Sequence, residues 1–188
     1  MSEHSRALLA RFALLAALTR PLLAFEIGTV APNFEAKTIE GQHFSLSAAE
    51  KDHTAVVVLF LSTICPYSNY YNDLLRDMSA QFASRGVVFV GINSSRVETL
   101  AEMREHARQH GHTFPILRDG DGKLAEMFDA RRTPEVFLLD SSGRLRYRGR
   151  VASKISSPDL KNALELLLAR REVRPAETKA FGCAIPRD

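Results

Sequence analysis

A run of β-branched and other apolar residues ends at a cysteine that is followed by a proline. The stretch reads Ala55-Val-Val-Val-Leu-Phe-Leu-Ser-Thr-Ile-Cys-Pro-Tyr-Ser68. Its first part lacks polar alternation, which is typical of a central strand buried on both faces. Pro66 fits the first position of a helix, where a missing backbone N–H has no consequence. The stretch therefore predicts a buried strand over 55–62 that leads through Cys65 into a helix.

The helix predicted after Pro66 has one side that faces a core. Gly86 supplies a left-handed cap, so we expect the helix to end near that residue. Apolar residues recur along the helix at helical spacing; they are Tyr71, Leu74, Leu75, Met78 and Phe82.

Cys65 lies where the predicted strand ends and the predicted helix begins. Unpaired backbone amides and the helix dipole favour a negative charge at that point. A thiol there should ionise more readily than that of a free cysteine, and the ionised form is the nucleophile. The alternative is a small buried hydrophobic residue, the commonest fate of an unpaired cysteine. The junction favours the reactive thiol, because open α/β sheets place their ligands there.

Length, charge and cysteine content limit the class of protein. A chain of 188 residues suits one domain with a substantial core and is too short for two comfortable ones. The net charge is +3 and no Lys/Arg-rich run is present, which argues against a nucleic-acid partner. The two cysteines, Cys65 and Cys183, make neither a disulfide scaffold nor a zinc pattern. We expect redox chemistry, with no cofactor and no metal ion.

Residues 1–25 resemble a secretory signal. Arg6 and Arg11 precede a short apolar run over 12–18. Arg20 interrupts the apolar residues, no clean cleavage site follows, and the run is too short for an ordinary transmembrane helix. We expect export to the periplasm or membrane association through this segment, and the alternative is a cytoplasmic protein that keeps it as a helix.

The remaining sequence predicts one folded domain over 26–170 and a tail over 171–188 that carries Cys183. The domain opens with a short β-hairpin formed by residues 30–38 and 43–46 around the turn Glu40-Gly-Gln.

Two further elements follow the hairpin. A polar connection over 48–53 leads to the central strand, and residues 87–93 read as a second buried strand. Ser95 and Glu98 have the spacing of a capping box for the next helix, which Gly111 closes.

The last third of the domain predicts a hairpin and a closing helix. Residues 114–117 form a short strand segment, and 132–140 and 144–150 form an antiparallel hairpin. Ser157 caps the final helix and Pro158 begins it. The order of elements predicts an α/β fold, a central mixed sheet with helices on both faces and an N-terminal β-hairpin.

This order, with a Cys-Pro at the first helix and a Thr-Pro before the hairpin, resembles the thioredoxin-like fold. It is most similar to the redoxin branch, the alkyl hydroperoxide reductase/thiol-specific antioxidant superfamily, and to its peroxiredoxin-like bacterial members. The resemblance covers about residues 28–170, and several separate motifs together make it specific. Those motifs are Ala31-Pro-Asn-Phe34, Phe60-Leu-Ser-Thr-Ile-Cys-Pro-Tyr-Ser68, Gly91-Ile-Asn93, Phe114-Pro-Ile-Leu117 and Thr133-Pro-Glu-Val-Phe-Leu-Leu-Asp140.

The resemblance implies residue roles. Cys65 takes the position of the attacking or peroxidatic thiol, and Pro134 matches the cis-proline that faces it. Thr133 precedes that proline, and cis peptide bonds are nearly confined to such X–Pro pairs. Cys183 could resolve an oxidised Cys65, since the tail around it also looks like one that recurs in peroxiredoxin-like proteins. A structural or intermolecular role for Cys183 is the open alternative.

The sequence departs from both family patterns. Ser68 stands where thioredoxins have their second cysteine, so Cys65-Pro-Tyr-Ser68 looks like a monothiol glutaredoxin site. In the peroxiredoxin pattern Ser62 fits, but Val58 replaces the proline. The family arginine before the Pro134 strand is also missing, and Arg131 or Arg132 could supply its charge.

Polar and aromatic side chains surround the predicted thiol. The hydroxyls of Ser62, Thr63 and Ser68 could donate hydrogen bonds to the sulfur, or they could cap local turns. Tyr67 and Tyr70 could line the substrate approach. Three histidines near a helix end, His106, His110 and His112, are expected to be cations at a helix C-terminus rather than metal ligands.

We therefore predict a thiol-dependent oxidoreductase, with peroxidase or thiol–disulfide exchange activity, that uses Cys65 as its nucleophile. Its expected partners are a peroxide or a protein or small-molecule disulfide, an external thiol reductant, and a second copy of the chain in a homodimer. The alternatives are a module that binds a metal ion or a partner through Cys65 without turnover, and a scaffold domain without chemistry. Replacing Cys65 by Ser separates the three.

Overall fold

A computed structural model of the chain describes residues 25–187. The signal-like segment predicted over 1–25 lies outside these residues except for Phe25, so it stays a prediction. Within residues 25–187 no helix is both long enough and apolar enough to cross a membrane.

The described residues form nine strands and six helices. The strands are β1 (Glu35–Lys37), β2 (His43–Ser45), β3 (Ala55–Phe60), β4 (Val87–Asn93), β5 (Ile116–Arg118), β6 (Arg132–Thr133), β7 (Glu135–Asp140), β8 (Leu145–Gly149) and β9 (Cys183–Ala184). The helices are α1 (Leu46–Asp52), α2 (Pro66–Asn69), α3 (Asn72–Ala83), α4 (Leu100–His110), α5 (Lys123–Met127) and α6 (Asp159–Leu168).

Five strands form a central mixed sheet in the order β5-β4-β3-β7-β8. The first three are parallel to one another, whereas β7 is antiparallel to β3 and β8 is antiparallel to β7. The continuous apolar run predicted to be a central strand is β3, the middle strand of the sheet, and all of its residues are buried. The N-terminal hairpin is present as β1 and β2, paired with Ala36 opposite Phe44.

The two faces of the sheet carry separate cores, because successive side chains of a strand point to opposite faces. On β3, Val57 and Leu59 join the core that α3, α4 and α6 cover, whereas Val58 and Phe60 join the core that α1 and α5 cover. The second core also contains Phe25, whose ring meets that of Phe128 edge-on at 5.3 Å between centroids. Helices thus lie on both faces, as predicted.

Two helical predictions are wrong in detail. Residues 48–53, expected as a polar connection, belong mostly to α1, which buries Leu46 and Ala49 against the second core. The single helix expected from Pro66 to the region of Gly86 is divided into α2 and α3. The division falls at Tyr71, whose hydroxyl donates a hydrogen bond to the carbonyl of Ala152 at 2.9 Å.

The capping box before α4 lies one turn later than predicted. Thr99 is the N-cap of the helix, and its hydroxyl and the Glu102 carboxylate make the reciprocal bonds of the box. The Ser95 hydroxyl accepts from the backbone amides of Val97 and Glu98 instead, at 3.3 Å each. The carboxylate of Glu98 is thereby left for other partners.

The closing elements also differ slightly from expectation. The strand predicted over 132–140 is interrupted at Pro134, which separates β6 from β7. Pro158 is the N-cap of α6 rather than its first residue, and Ser157 lies one position earlier. Gly111 does close α4, in the left-handed conformation at φ 65°.

The tail runs along the edge strand β8 and then pairs with β6. Two backbone hydrogen bonds of 3.0 Å tie it to β8, from Thr178 N to the Arg148 carbonyl and from Arg148 N to the Ala176 carbonyl. Strand β9 then pairs with β6, so that Cys183 lies opposite Thr133. The tail therefore covers the otherwise open strand β8 and ends beside the Cys65 junction.

Candidate active site

Cys65 is the N-cap of α2 and follows the carboxyl end of β3. Its Sγ lies 2.6 Å from the Sγ of Cys183, although the two residues are 118 positions apart in sequence. Both cysteines are free thiols. The sulfur of Cys65 also lies 3.1 Å from the carbonyl oxygen of Thr133. The fold thus gathers the two cysteines of the chain at the strand-to-helix junction where the sequence predicts a reactive thiol.

Glycines allow the tail to approach the body closely at two points. Gly182 has φ +150°, and a Cβ at that position would overlap the carbonyl of Thr133. Gly149, at φ +135°, lies in the same way against the carbonyl of Thr178. Because only glycine adopts such backbone angles without strain, these two residues set how deeply Cys183 enters the site.

The Thr133–Pro134 peptide bond is cis. Thr133 is buried, and it joins two parts of the site, because β9 pairs with it on one side and its carbonyl contacts the Cys65 sulfur on the other. The family resemblance places the Thr133–Pro134 segment opposite the Cys65 thiol, and in the structure Thr133 contacts that sulfur.

Cys65 is buried, with 1% of its residue surface exposed. Burial opposes ionisation of its thiol, but hydrogen bonds outweigh burial and hold its pKa below the ordinary value of 9.0. The donors are the side chains of Cys183 and Thr133 and the backbone amides of Ser68 and Cys183.

Cys183 has the opposite tendency. Its hydrogen bond to Cys65, with burial and the neighbouring charge, raises its pKa to about 11. Of the two thiols, Cys65 is therefore the one that loses its proton more readily. Cys183 is also more exposed than Cys65. Because the thiolate is the reactive form, Cys65 is the better candidate for a nucleophile.

The hydroxyls next to Cys65 do not point to its sulfur. The Ser62 hydroxyl donates to Glu98 Oε1 at 2.6 Å, and the Thr63 hydroxyl donates to Glu98 Oε2. The Ser68 hydroxyl accepts from the Ser62 amide at 3.2 Å. Of these three side chains, none supplies the donor to sulfur that the sequence suggests; backbone amides and the side chains of Cys183 and Thr133 take that part.

Glu98 is the site residue that the sequence interpretation missed. It is buried, with 2% of its surface exposed. Burial opposes ionisation, but hydrogen bonds from Ser62, Thr63 and Asn93 keep its pKa below the ordinary value of 4.5. The only signal in the sequence is a glutamate shortly after a buried strand, and its spacing from Ser95 indicates a capping box instead.

Of the two arginines considered as substitutes for the family arginine, Arg132 is closer to the thiol pair. Its guanidinium donates to the Gly182 carbonyl at 3.3 Å, one residue from Cys183, and its charge acts to lower the Cys183 pKa. Arg131 instead pairs with Asp129 at 3.0 Å. Arg132 is thus the cation that can act on the pair.

An open aromatic cleft of about 410 Å³ lies at α2, and it is lined by Pro66, Tyr67, Tyr70, Tyr71 and Phe181. Tyr67 and Phe181 meet edge-on across it, with ring centroids 5.8 Å apart. Tyr67 and Tyr70 are both exposed, at 49% and 69%, which agrees with their expected place beside the approach to the thiol. Phe181 comes from the tail, so the tail supplies one wall of the cleft.

The three histidines lie together, with the rings of His106 and His110 4.4 Å apart. Within the described residues, no group of three or more His, Cys, Asp or Glu side chains is arranged to hold a metal ion. The expectation that they are cations is wrong for two of them. Burial lowers the pKa of His106, and it lowers that of His112 to about 4. The Nε2 of His106 lies 2.9 Å from the amide oxygen of Asn69 in α2.

Comparisons with known proteins find relatives that are thiol-disulfide oxidoreductases. The chain is 23% identical over 145 residues to a thiol-disulfide oxidoreductase ResA of Bacillus thuringiensis. This alignment covers 77% of this chain and 78% of the relative. It is 29% identical over 124 residues to a thiol:disulfide interchange protein DsbE of Yersinia pestis, over 65% of this chain and 63% of the relative.

A solved structure of a hypothetical protein from Sinorhizobium meliloti is similar to this chain, with a TM-score of 0.78 and 29% identity over 85% of this chain and 93% of that one. The predicted thioredoxin-like fold and the redoxin resemblance are confirmed. The AhpC/TSA family matches residues 27–148, and the chain belongs to that family.

Proposed function

We propose that this protein is a two-cysteine thiol oxidoreductase in which Cys65 attacks the substrate and Cys183 resolves the intermediate. The thiol-dependent oxidoreductase class itself follows from the AhpC/TSA match and from the ResA and DsbE relatives. The observation that carries the residue roles is the 2.6 Å distance between the two sulfur atoms. The lowered pKa of Cys65 and the raised pKa of Cys183 support the direction of attack.

With a disulfide substrate, the Cys65 thiolate attacks one substrate sulfur and releases the other as a thiol. The mixed disulfide at Cys65 is then attacked by the sulfur of Cys183, which forms the Cys65–Cys183 disulfide and releases the second substrate thiol. The substrate gains two electrons and two protons, and the protein loses them. An external dithiol restores the two cysteines by the same exchange in reverse.

A peroxide is the second candidate substrate, and the burial of Cys65 favours it. A sulfur that is 1% exposed admits a small oxidant more readily than a folded protein. Attack of the thiolate on the peroxide breaks the O–O bond and gives a sulfenic acid at Cys65 and an alcohol or water. Cys183 then forms the same disulfide, and the sulfenic oxygen leaves as water.

The test treats the reduced protein with equimolar hydrogen peroxide in one arm and oxidised glutathione in the other, and maps the sulfur products by mass spectrometry. We expect a Cys65–Cys183 disulfide within seconds in at least one arm, and that arm identifies the oxidant class. In the Cys183→Ser variant we expect a sulfenic acid or a glutathione adduct to accumulate on Cys65. A Cys65 that reacts with neither oxidant contradicts the proposal.

The binding-module and scaffold alternatives are tested with Cys65→Ser. An enzyme loses turnover in this variant. A metal-binding module has no turnover and loses its stoichiometric metal ion, and a scaffold loses neither.

Location and assembly are part of the same proposal. We propose export or membrane association through residues 1–25, and cell fractionation of the full chain tests it. A homodimer and the absence of a nucleic-acid partner also stay proposals, and the small net charge of +3 supports the second. Sedimentation with and without duplex DNA tests both.

A further inference from the structure

Glu98 is a buried carboxylate directly behind the loop that carries Cys65. Its Oε1 accepts a hydrogen bond from the Ser62 hydroxyl at 2.6 Å. Its Oε2 accepts from the Thr63 backbone amide at 2.9 Å and also from the Thr63 hydroxyl. The side-chain amide of Asn93 donates to the same oxygen at 2.9 Å. Three of these four bonds come from the two residues at the start of the Cys65 loop.

Further backbone atoms of that loop are also hydrogen-bonded. The Ser62 amide donates to the Ser68 hydroxyl at 3.2 Å, and the Thr63 carbonyl accepts from the Asn69 side chain at 2.8 Å. The Cys65 amide closes the turn onto the Ser62 carbonyl at 3.4 Å. The direction of the Cys65 side chain therefore depends on how Ser62 and Thr63 are held.

Glu98 is also connected to the carboxyl end of β4. Asn93 is the last residue of that strand and is fully buried. Its side-chain oxygen accepts from the Ser95 amide at 2.9 Å, and the Ser95 hydroxyl accepts from the Glu98 amide at 3.3 Å. Glu98 is thus fixed to the sheet through both its backbone and its side chain.

We propose that Glu98 is a positioning residue for the reaction: it clamps Ser62 and Thr63 to the end of β4 and so fixes the direction in which the Cys65 sulfur faces Cys183 and Thr133. The inference rests on the proposed function and adds a residue to it. A buried charge is unfavourable unless hydrogen bonds compensate it. A residue that only filled space behind the loop would not need a charge. A residue that accepts three hydrogen bonds from Ser62 and Thr63 needs the two oxygens of a carboxylate.

The test compares Glu98→Gln and Glu98→Asp with the wild-type protein. The amide group of Gln has one oxygen and cannot accept all four bonds, whereas Asp keeps the charge on a shorter side chain. We measure the rate at which Cys65 is alkylated by iodoacetamide as a function of pH, with Cys65 and Cys183 separated by mass spectrometry. Thiolate absorbance at 240 nm gives the ionisation step, and Cys65→Ser identifies the part due to Cys183.

For Glu98→Gln we expect the Cys65 rate at pH 7 to fall about tenfold, because a smaller fraction of the sulfur is ionised once its hydrogen-bond donors separate. We expect the ionisation step of Cys65 to move up by about one pH unit as its hydrogen-bond donors separate. Glu98→Asp should recover part of both changes.

Asp119→Asn is the matched control. Asp119 is also a buried carboxylate, 3% exposed, but it accepts from the Ser94 hydroxyl and from the amides of Leu124 and Ala125 at the start of α5. The Asp119→Asn substitution should lower the melting temperature without shifting the pH profile of Cys65 alkylation. If Glu98→Gln lowers the melting temperature and leaves the Cys65 profile at the wild-type position, the positioning role is wrong.

The alkylation readout separates this inference from the proposed function. If the pH profile of wild-type Cys65 has its ionisation step no lower than that of an ordinary free cysteine, the proposed nucleophile is wrong. If the wild-type step lies lower and Glu98→Gln leaves it unchanged, only the role of Glu98 is wrong.

Discussion

Gly182 lies directly against the carbonyl group of Thr133, at a distance that leaves no space for a Cβ atom. This contact comes one residue before Cys183 and one residue before the cis-proline Pro134. It joins the end of the tail to the segment that faces Cys65. Strand β9 then pairs with β6, with Cys183 opposite Thr133. The approach of the second thiol to the first is therefore controlled by a backbone contact that requires glycine.

Gly182→Ala is expected to displace the tail. The methyl group would overlap the Thr133 carbonyl, and the φ of +150° is strained for an L residue. We expect Cys65–Cys183 disulfide formation after one equivalent of oxidant to slow at least about tenfold, because the two sulfurs lose their alignment. Alkylation of Cys65 should become faster, since its cover is removed.

Gly41→Ala is the control for this variant. Gly41 has φ +88°, but no atom lies within 4 Å of an added Cβ, so it introduces backbone strain without a clash at the site. Equal effects of the two variants on disulfide formation would show that the Gly182 contact has no special role.

Replacing Cys183 by Ala should raise the pKa of Cys65. Burial opposes ionisation of Cys65, and the largest compensating contribution is the hydrogen bond from Cys183. Alanine removes that donor, whereas serine keeps one. We therefore expect the pH profile of Cys65 alkylation to shift upward in Cys183→Ala and to return toward lower pH in Cys183→Ser. Coincident profiles for the two variants would mean that the S–H donor does not set the Cys65 pKa.

The local parts of this fold are predictable from the sequence. The continuous apolar composition of 55–61 reports burial on both faces, and that property belongs to the middle strand of a sheet whatever its neighbours are. The helical spacing from Leu75 to Phe82 similarly identifies the face of α3 that packs on the core. The Cys-Pro junction follows from these two elements, so Cys65 could be located before the structure was known.

The contacts between distant segments are not predictable in the same way. Ser95 and Glu98 match a capping box in spacing, yet the Glu98 carboxylate bonds to Ser62 and Thr63, more than thirty positions earlier. Cys183 is 118 positions from Cys65, and no spacing rule indicates which surface a tail will cover. A tertiary hydrogen bond in a buried site is stronger than a local bond exposed to water, which is why the local pattern was misleading for Glu98.

His112 is expected to make the protein less stable in mild acid. Burial lowers its pKa to about 4 from a value near 6.5 in the unfolded chain. Between these two pH values the unfolded chain binds the extra proton and the folded chain does not, so the free energy of unfolding falls as the pH falls from about 6.5 to about 4. The loss should be about 2 kcal/mol after allowance for partial exposure.

His112→Phe is expected to remove this pH dependence. The imidazole stacks on Phe114 at 4.9 Å between ring centroids, so an apolar ring of similar shape can replace it. Chemical denaturation at pH 7 and pH 5 measures the change. A wild-type protein that is equally stable at both pH values contradicts the lowered pKa.

Arg148 connects the tail to the buried side of the site. Its guanidinium lies 3.6 Å from Glu135 and 3.5 Å from Glu177 of the tail, and it lies over the ring of Phe137, 5.4 Å from the centroid. The side chain is only 16% exposed. It therefore links the residue after Pro134 with the segment that brings Cys183 to Cys65.

Arg148→Gln should loosen the tail without unfolding the domain. Removing the cation leaves Glu135 without its charged partner, although the amides of Arg131 and Arg132 still bind it, so we expect a cost of about 2 kcal/mol. Hydrogen exchange at the Thr178 and Ile185 amides should accelerate, because both bond the body through the tail. Arg146→Gln, on the same strand but paired with Asp140 at 3.4 Å and far more exposed, should leave that exchange unchanged. If both variants give wild-type exchange in the tail, its docking is independent of Arg148 and rests on the backbone pairing and the glycine contacts alone.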